Sequence, residues 1–379
     1  MSSALNLHKE LNGKIEIKPK LKLNSRNLPL LYTPGVAEVA LEIAKDSEKA
    51  STLTIKGNTI AIITDGSRLL GLGNQGPLAS LPVMEGKALI LKELAGINAF
   101  PICLDTQDPE KIIETVKYLA PSFGGINLED IASPKCFIIE RVLKKKLSIP
   151  VFHDDQHGTA IVTLAALINS LKIVKKDMSA IKTVILGAGA AGIAITHLLL
   201  DYGVKHLNIF DSAGMIHLGR KKDMNPYKEE IAQRTKAAKE KSFKEAMQEC
   251  DVLITVSGKA NSLTAKDLKG MARKAIIFSL SNPVPEISYK EAKKIGKIVA
   301  SGGSQDYKNH VNNMLAFPPI WKGALESRAK KITKKMIIAA AEAIAAAVKP
   351  SALNENHILP AISQKGLIEQ VAKKVRETV

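Results

Sequence analysis

Residues 187–192, GAGAAG, leave few folds open to the chain around them. A Gly-x-Gly-x-x-Gly turn is informative when a buried strand precedes it, a helix follows it, and an acidic residue stands about 20 positions on. Here TVILG supplies the strand, AGIAITHLLLDYG supplies a helix ended by Gly203, and Asp211 closes the next strand, HLNIFD. Gly187 permits the tight turn and Gly189 lets backbone approach a pyrophosphate. Ala190 and Ala191 open the helix, and Gly192 lets helix and strand pack closely. The helix N-terminus then offers N–H groups and positive dipole to the phosphates. Asp211 is expected to accept from the adenosine ribose hydroxyls and to repel a 2′-phosphate, which favours NAD. Ser212 and the basic GRKK at 219–222 leave NADP open.

A second match, GLGNQG at 71–76, lacks that context. Pro77 follows it directly, no helical pattern is expected before about Leu81, and Glu93 lies inside a helical segment. It reads as a loop after the strand IAIITDG, with Arg68 before it and Lys87 after it.

Around both turns, apolar strand patterns such as TIAIITDG (59–66), AFPICLD (99–105), GGINLED (124–130) and PVFHDD (150–155) alternate with helical ones. Such alternation predicts an α/β layer with a largely parallel sheet. GTAIVTLAALINSLKIV (158–174) reads as one long apolar helix, and a second α/β series starts at IKTVILGAG. The expected fold is α/β in three parts: an N-terminal catalytic domain over 1–165, a Rossmann-type doubly wound dinucleotide-binding domain over 166–325, and C-terminal helices over 326–379 that pack back on the first domain.

Composition excludes several classes. Cys103, Cys136 and Cys250 form no CxxC pair, which argues against a disulfide framework and a thiolate zinc site and suits a reducing cytoplasm. The N-terminus has no apolar stretch for a signal peptide. No run is expected to reach a membrane span: the longest candidate, MIIAAAEAIAAAVKP (336–350), is interrupted by Glu342 and reads as a buried amphipathic helix. The formal net charge of +17 raises a nucleic-acid partner. Yet the lysines are dispersed and only 4% of residues are aromatic, too few for a base-stacking platform. Solvated lysines whose field draws in small anionic substrates are the expectation, with neither a nucleic-acid nor a membrane partner.

Two acidic pairs close strand patterns, Glu129–Asp130 in INLED and Asp154–Asp155 in VFHDD. Ligands of doubly wound sheets collect at the carboxyl ends of strands, and several carboxylate oxygens converging there suit Mg²⁺ or Mn²⁺. HDDQH (153–157) also carries histidines at i and i+4. Asp154 stands where HExxH has its glutamate, and the stretch is expected to precede a helix at Gly158, so a zinc site is set aside.

At this point the chain resembles a known family. LLYTPGVAEVA (30–40), DGSRLLGLGNQGPLASLPVMEGKA (65–88), GGINLEDI (124–131), PVFHDDQHGTA (150–160), VILGAGAAGIA (184–194), SLSNPVPE (279–286) and VNNMLAFPPIWKGAL (311–325) together resemble the short prokaryotic malic enzymes. The resemblance implies a malic-enzyme N-terminal α/β domain before the Rossmann-type domain, a homodimer, and L-malate as substrate. It implies that Glu129, Asp130 and Asp155 bind Mn²⁺ or Mg²⁺ with Asp154 close by, that Lys87 is the general base and that Tyr32 is the general acid. Arg68, Asn282 and Asn313 match malate contacts, with Asn282 also beside the cofactor. The implied reaction is metal-dependent oxidative decarboxylation of malate to pyruvate and CO₂ with reduction of NAD(P). Two alternatives stand beside it: a metal-independent malate or 2-hydroxyacid dehydrogenase, and a nucleic-acid-binding protein on an enzyme-like fold.

Overall fold

The computed structural model describes residues 3–379. Strands β1 (Thr59–Thr64), β2 (Asn98–Cys103), β3 (Gly125–Leu128) and β4 (Val151–His153) form a parallel sheet in the order β2-β1-β3-β4. Every residue of β1 and β3 is buried, the continuous apolar pattern of a sheet covered on both faces. Helices α1 (Ser3–Leu11), α2 (Leu28–Leu31), α3 (Val36–Lys45) and α4 (Ala50–Leu53) precede it, and α5 (Gly76–Ala95), α6 (Pro109–Leu119) and α7 (Lys135–Lys146) cross between its strands. The register Ile63↔Leu128 and Leu128↔His153 brings the residues that follow, Glu129 and Asp154, to one level at the carboxyl end.

Two helix starts differ from expectation. α5 begins at Gly76, directly on the GLGNQG turn, because Pro77 falls in its first turn, where a fixed φ and a missing N–H are compatible with a helix. α8 (Asp154–Val174) begins at the acidic pair, so His157 and Gly158 lie inside it. Its first turn places Asp154 and Asp155 at the positive end of the dipole. A Cβ on residue 158 would stand 1.9 Å from Asp154 Oδ1, which is why glycine occupies that turn.

α8 runs unbroken through residue 165 and leads into a second sheet. Its length and composition are those of a membrane span, a feature that the sequence reading assigned to no segment. Residues 160–167 are nevertheless all buried, and the helix packs on α9 (Ala190–Asp201) and α14 (Lys334–Ala346), making it the core helix joining the two halves.

The second sheet has the order β11-β10-β9-β8-β5-β6-β7, parallel except for the β6–β7 pair. Its strands are β5 (Lys182–Leu186), β6 (His206–Asp211), β7 (Gly214–Met215), β8 (Val252–Thr255), β9 (Ala275–Ser279), β10 (Gly296–Ser301) and β11 (Asn309–His310). Helices α10 (Pro226–Thr235), α11 (Phe243–Ala246) and α12 (Tyr289–Lys293) complete this Rossmann-type layer. The order reverses between β5 and β8, and in the first sheet between β1 and β3. Such switch points open a crevice at the strands' carboxyl ends.

α13 (Phe317–Glu326), α14 and α15 (Leu367–Arg376) pack on one another, and α13 and α15 also touch α5. The anchor is Trp321, fully buried, whose Nε1 donates to Asn127 Oδ1 at 3.1 Å. Its ring lies over Gly125, where a Cβ would come within 2.2 Å of it. Trp321→Ala is expected to lower unfolding free energy by about 3–5 kcal/mol. The check is the urea midpoint; an unchanged midpoint would mean that α13 is not anchored through this ring.

Candidate functional site

The carboxyl ends of both sheets enclose one cavity of about 700 Å³. Loop 67–74, Lys87, Glu129, Asp130 and Asp155 line one side of it, and Gly189, Ala190, Ala191, Gly258 and Asn282 line the other, with Asn313 joining them.

Lys87 is buried on α5 and bridges two acidic pairs. Its Nζ lies 2.6 Å from Glu129 Oε1 and 2.5 Å from Asp154 Oδ2, and 4.5 Å over the Phe317 ring. Burial alone would lower its pKa, but Asp154, Glu129 and Asp155 outweigh burial and hold the ammonium above the ordinary lysine range. The carboxylates decide the sign.

The carboxylates carry the opposite strain. Glu129, held by Lys87 and by Asn127 Nδ2 at 2.9 Å, is pushed well up, first by burial. Burial and then Asp155 raise Asp130 to about 7. Asp130 sits at φ +50°, donates its N–H to Asp155 Oδ2 at 2.9 Å and accepts from the Leu70 N–H. Its Oδ2, like Asp154 Oδ1, is buried with no hydrogen-bond partner. Oxygens of Glu129, Asp130 and Asp155 lie within 4.8 Å of one another. Crowded carboxylates with an orphaned oxygen are a donor set that fits a hard divalent cation.

The other wall fits a dinucleotide. Gly187 has φ +118°, and a Cβ there would stand 2.6 Å from the Val256 carbonyl oxygen. A Cβ on Gly192 would meet the Gly187 oxygen at 1.8 Å, whereas at Gly189 nothing lies within 4 Å, leaving room for a ligand. Gly187 and Gly192 shape the turn from below the cavity.

GLGNQG has a different use. A Cβ on Gly71 would lie 2.1 Å from Asn282 O, so this loop crosses to the dinucleotide side, and its glycine lets the two walls meet. Arg68 reaches the same way, its guanidinium lying against Gly258.

Two expected site residues stand elsewhere. Asp211 does not present free oxygens: Arg220 Nη2 donates to both at 2.8 Å, Lys228 Nζ lies 2.7 Å from Oδ2, and the Ala213 N–H donates to Oδ1. The repulsion expected of its charge is therefore neutralised. Tyr32 does not line the cavity and is 68% exposed. Sequence reasoning missed Asp154 as a direct partner of Lys87, since a tandem pair does not reveal which member turns inward. It also missed Phe317, whose only signal was its place beside VNN.

Comparison with known proteins agrees along the whole chain. The family profile "Malic enzyme, N-terminal domain" matches residues 12–144 and "Malic enzyme, NAD binding domain" matches 156–379. A bifunctional malic/malolactic enzyme of Bacillus subtilis is 51% identical over 98% of this chain and 91% of its own. An NAD-dependent malic enzyme of Geobacillus stearothermophilus is 50% identical over 97% of this chain and 77% of its own. The crystal structure of an NAD-dependent malic enzyme from Thermotoga maritima superposes with a TM-score of 0.94 at 46% identity, covering 99% of both chains.

If Glu129, Asp130 and Asp155 form a cation site, Mn²⁺ at a hundredfold excess over its Kd stabilises the fold by about 2.7 kcal/mol. Thermal unfolding with and without Mn²⁺ reads this directly. Asp130→Asn is expected to abolish the shift; a full shift in that variant places the ion elsewhere.

Proposed function

The chain belongs to the malic enzyme family, and on that footing we propose that it converts L-malate to pyruvate and CO₂ by metal-dependent oxidative decarboxylation, reducing NAD(P). The observation that carries this reading is the convergence of Lys87, three crowded carboxylates and the 189–191 turn on one cavity. Neither the metal-independent dehydrogenase nor the nucleic-acid reading gains support from relatives that match along the whole chain.

We assign Glu129, Asp130 and Asp155 to Mn²⁺ or Mg²⁺, and Gly187, Gly189, Ala190, Ala191, Gly192, Asp211 and Asn282 to the dinucleotide. When bound, the cation polarises the C2 oxygen of malate and the nicotinamide accepts the hydride. Lys87 takes the proton of the C2 hydroxyl. Its own burial favours the neutral amine, and only the surrounding carboxylates keep it protonated, so once their charge is engaged it acts as a base near neutral pH. Arg68, Asn282 and Asn313 orient malate, Arg68 by its planar fork toward a carboxylate. Asn313 Nδ2 also donates to Asp154 Oδ2 at 2.7 Å, which ties the substrate wall to the residue that holds Lys87. Decarboxylation leaves C3 needing a proton, the role assigned to Tyr32.

We propose NAD as the preferred acceptor; the pairing of Asp211 with Arg220 and Lys228 supports acceptance of NADP beside it. The same reading divides the chain at about 165 and 325, with residues 326–379 packed back on the N-terminal part. It makes the protein a homodimer in the cytoplasm, where its three free cysteines stay reduced.

The test follows absorbance of reduced nicotinamide with malate, NAD or NADP, and Mn²⁺ with and without chelator, with pyruvate and lactate quantified in the same tube. Equimolar pyruvate that disappears with chelator is expected; reduction without pyruvate leaves a simple dehydrogenase. Lys87→Met is expected to lower kcat by about 10³ while NAD binding is retained; an unchanged kcat removes Lys87 as the base.

A further inference from the structure

A second cavity, of about 530 Å³, opens at the opposite end of the first sheet and has no part in the chemistry assigned above. Gly124 and Pro150, the residues just before β3 and β4, line it. So do Lys117 in the last turn of α6, Lys146 at the end of α7 and Arg328 just past α13. A parallel strand rises ~3.3 Å per residue, so the four residues of β3 hold this cavity ~13 Å from Glu129.

Its charge is one-sided. Lys56, Lys117, Lys146, Arg328 and Lys330 line it against a single carboxylate, Glu48. Lys56 Nζ donates to the carbonyls of Ala120, Pro121 and Phe123, which uses all three of its protons and fixes it in the cavity floor. Lys330 and Glu48 form a loose pair at 3.8 Å, exposed on both sides. Among the described residues, the side chains of Lys117, Lys146 and Arg328 have neither an ion pair nor a hydrogen bond. Each helix C-terminus that points here contributes roughly half a negative charge, too little to offset three unpaired cations.

Arg328 stands where backbone geometry alone would place a glycine. Its φ is +53°, its N–H donates to Leu325 O at 3.0 Å, and the next N–H, of Ala329, donates to Ala324 O at 2.9 Å. These bonds close α13 on a left-handed residue, the position that glycine fills most easily because it has no Cβ. The strain is accepted here for a guanidinium aimed at the cavity without a protein partner.

The rest of the lining narrows the ligand. Ser47, Ser51 and Ser148 bring hydroxyls that bond to no protein group among the described residues. Ile43, Ile149 and Leu325 supply a small apolar floor. No aromatic side chain lines the cavity, so nothing there stacks a nucleobase. Its volume lies in the range of small-molecule sites.

We infer that this second cavity binds a phosphorylated sugar, with its phosphates on Arg328, Lys117 and Lys146 and its hydroxyls on the three serines. The planar fork of arginine pairs two phosphate oxygens at once, and the lysines add point charges from two other helices. A polyol body gives the free serine hydroxyls the partners they lack, and its carbon face covers the apolar floor. The cavity shares no lining residue with the one that holds Lys87, so the inference stands apart from the malic enzyme reading.

Isothermal titration of the full chain with fructose 1,6-bisphosphate tests this. Wild type is expected to bind it, and Arg328→Gly and Lys146→Gln are each expected to weaken binding about tenfold by removing one charge-assisted contact. Lys145→Gln removes the same charge from a neighbour that does not line the cavity, and affinity is expected to stay within about twofold of wild type. Glycine suits the backbone of residue 328, so the urea midpoint of Arg328→Gly is expected to hold or rise, and affinity lost there is not fold lost. Equal weakening in all three variants would show attraction to general positive charge and overturn the inference. Displacement of the bisphosphate by NADH, which puts it in the other cavity, overturns it too. Inorganic phosphate or AMP binding as tightly as the bisphosphate sinks the sugar class, and no binding at millimolar ligand sinks the site.

Discussion

Four carboxylates and one ammonium share the carboxyl end of the first sheet, and their mutual repulsion in a buried place is the constraint around which the molecule is arranged. Burial raises Glu129, Asp130 and Asp154 above the usual carboxylate range, and Lys87 is the cation that pulls each of them back. The surroundings soften the conflict from several directions. The N-terminus of α8 points its dipole at Asp154 and Asp155, Asn127 and Asn313 donate to Glu129 and Asp154, and the Leu70 N–H reaches Asp130. Even so, two oxygens are left without partners. The strain of such a cluster is what the proposed divalent cation would relieve.

Much of this was legible in the sequence because the signals were local. GAGAAG declared its strand, turn and helix within a short span, and the close approach of Gly192 to the Gly187 oxygen lies inside the motif itself. The acidic pairs were visible as strand endings. What sequence could not supply was partnership across the fold. Asp211 looked like a free acceptor, but α10 supplies Lys228 and the turn before it supplies Arg220, and neither pairing follows from spacing along a strand. Asp154 and Asp155 were indistinguishable until the first turn of α8 turned one toward Lys87 and the other toward the cavity. The proline after GLGNQG was treated as a barrier to a helix when it sat at the position where a helix accepts it.

The two walls of the cavity are held in place by different means. On the dinucleotide side, Glu286 is fully buried and forms no ion pair among the described residues. It is satisfied by hydroxyl and amide donors: Ser257 N–H at 2.7 Å, Ser281 Oγ at 2.6 Å and Ser279 Oγ at 2.9 Å. Those donors belong to the loops that carry Gly258 and Asn282, so one carboxylate ties both into a single unit, the kind of support that keeps a binding wall in place before its ligand arrives. The facing loop is held by its own backbone instead, Leu69 N–H to Gly73 O and Leu72 N–H to Leu69 O at 2.9 Å and Arg68 N–H to Asp130 O at 3.0 Å, and it meets the other wall through the bare backbone of Gly71. A side chain at that position would hold the walls apart. With glycine there, the two walls meet directly.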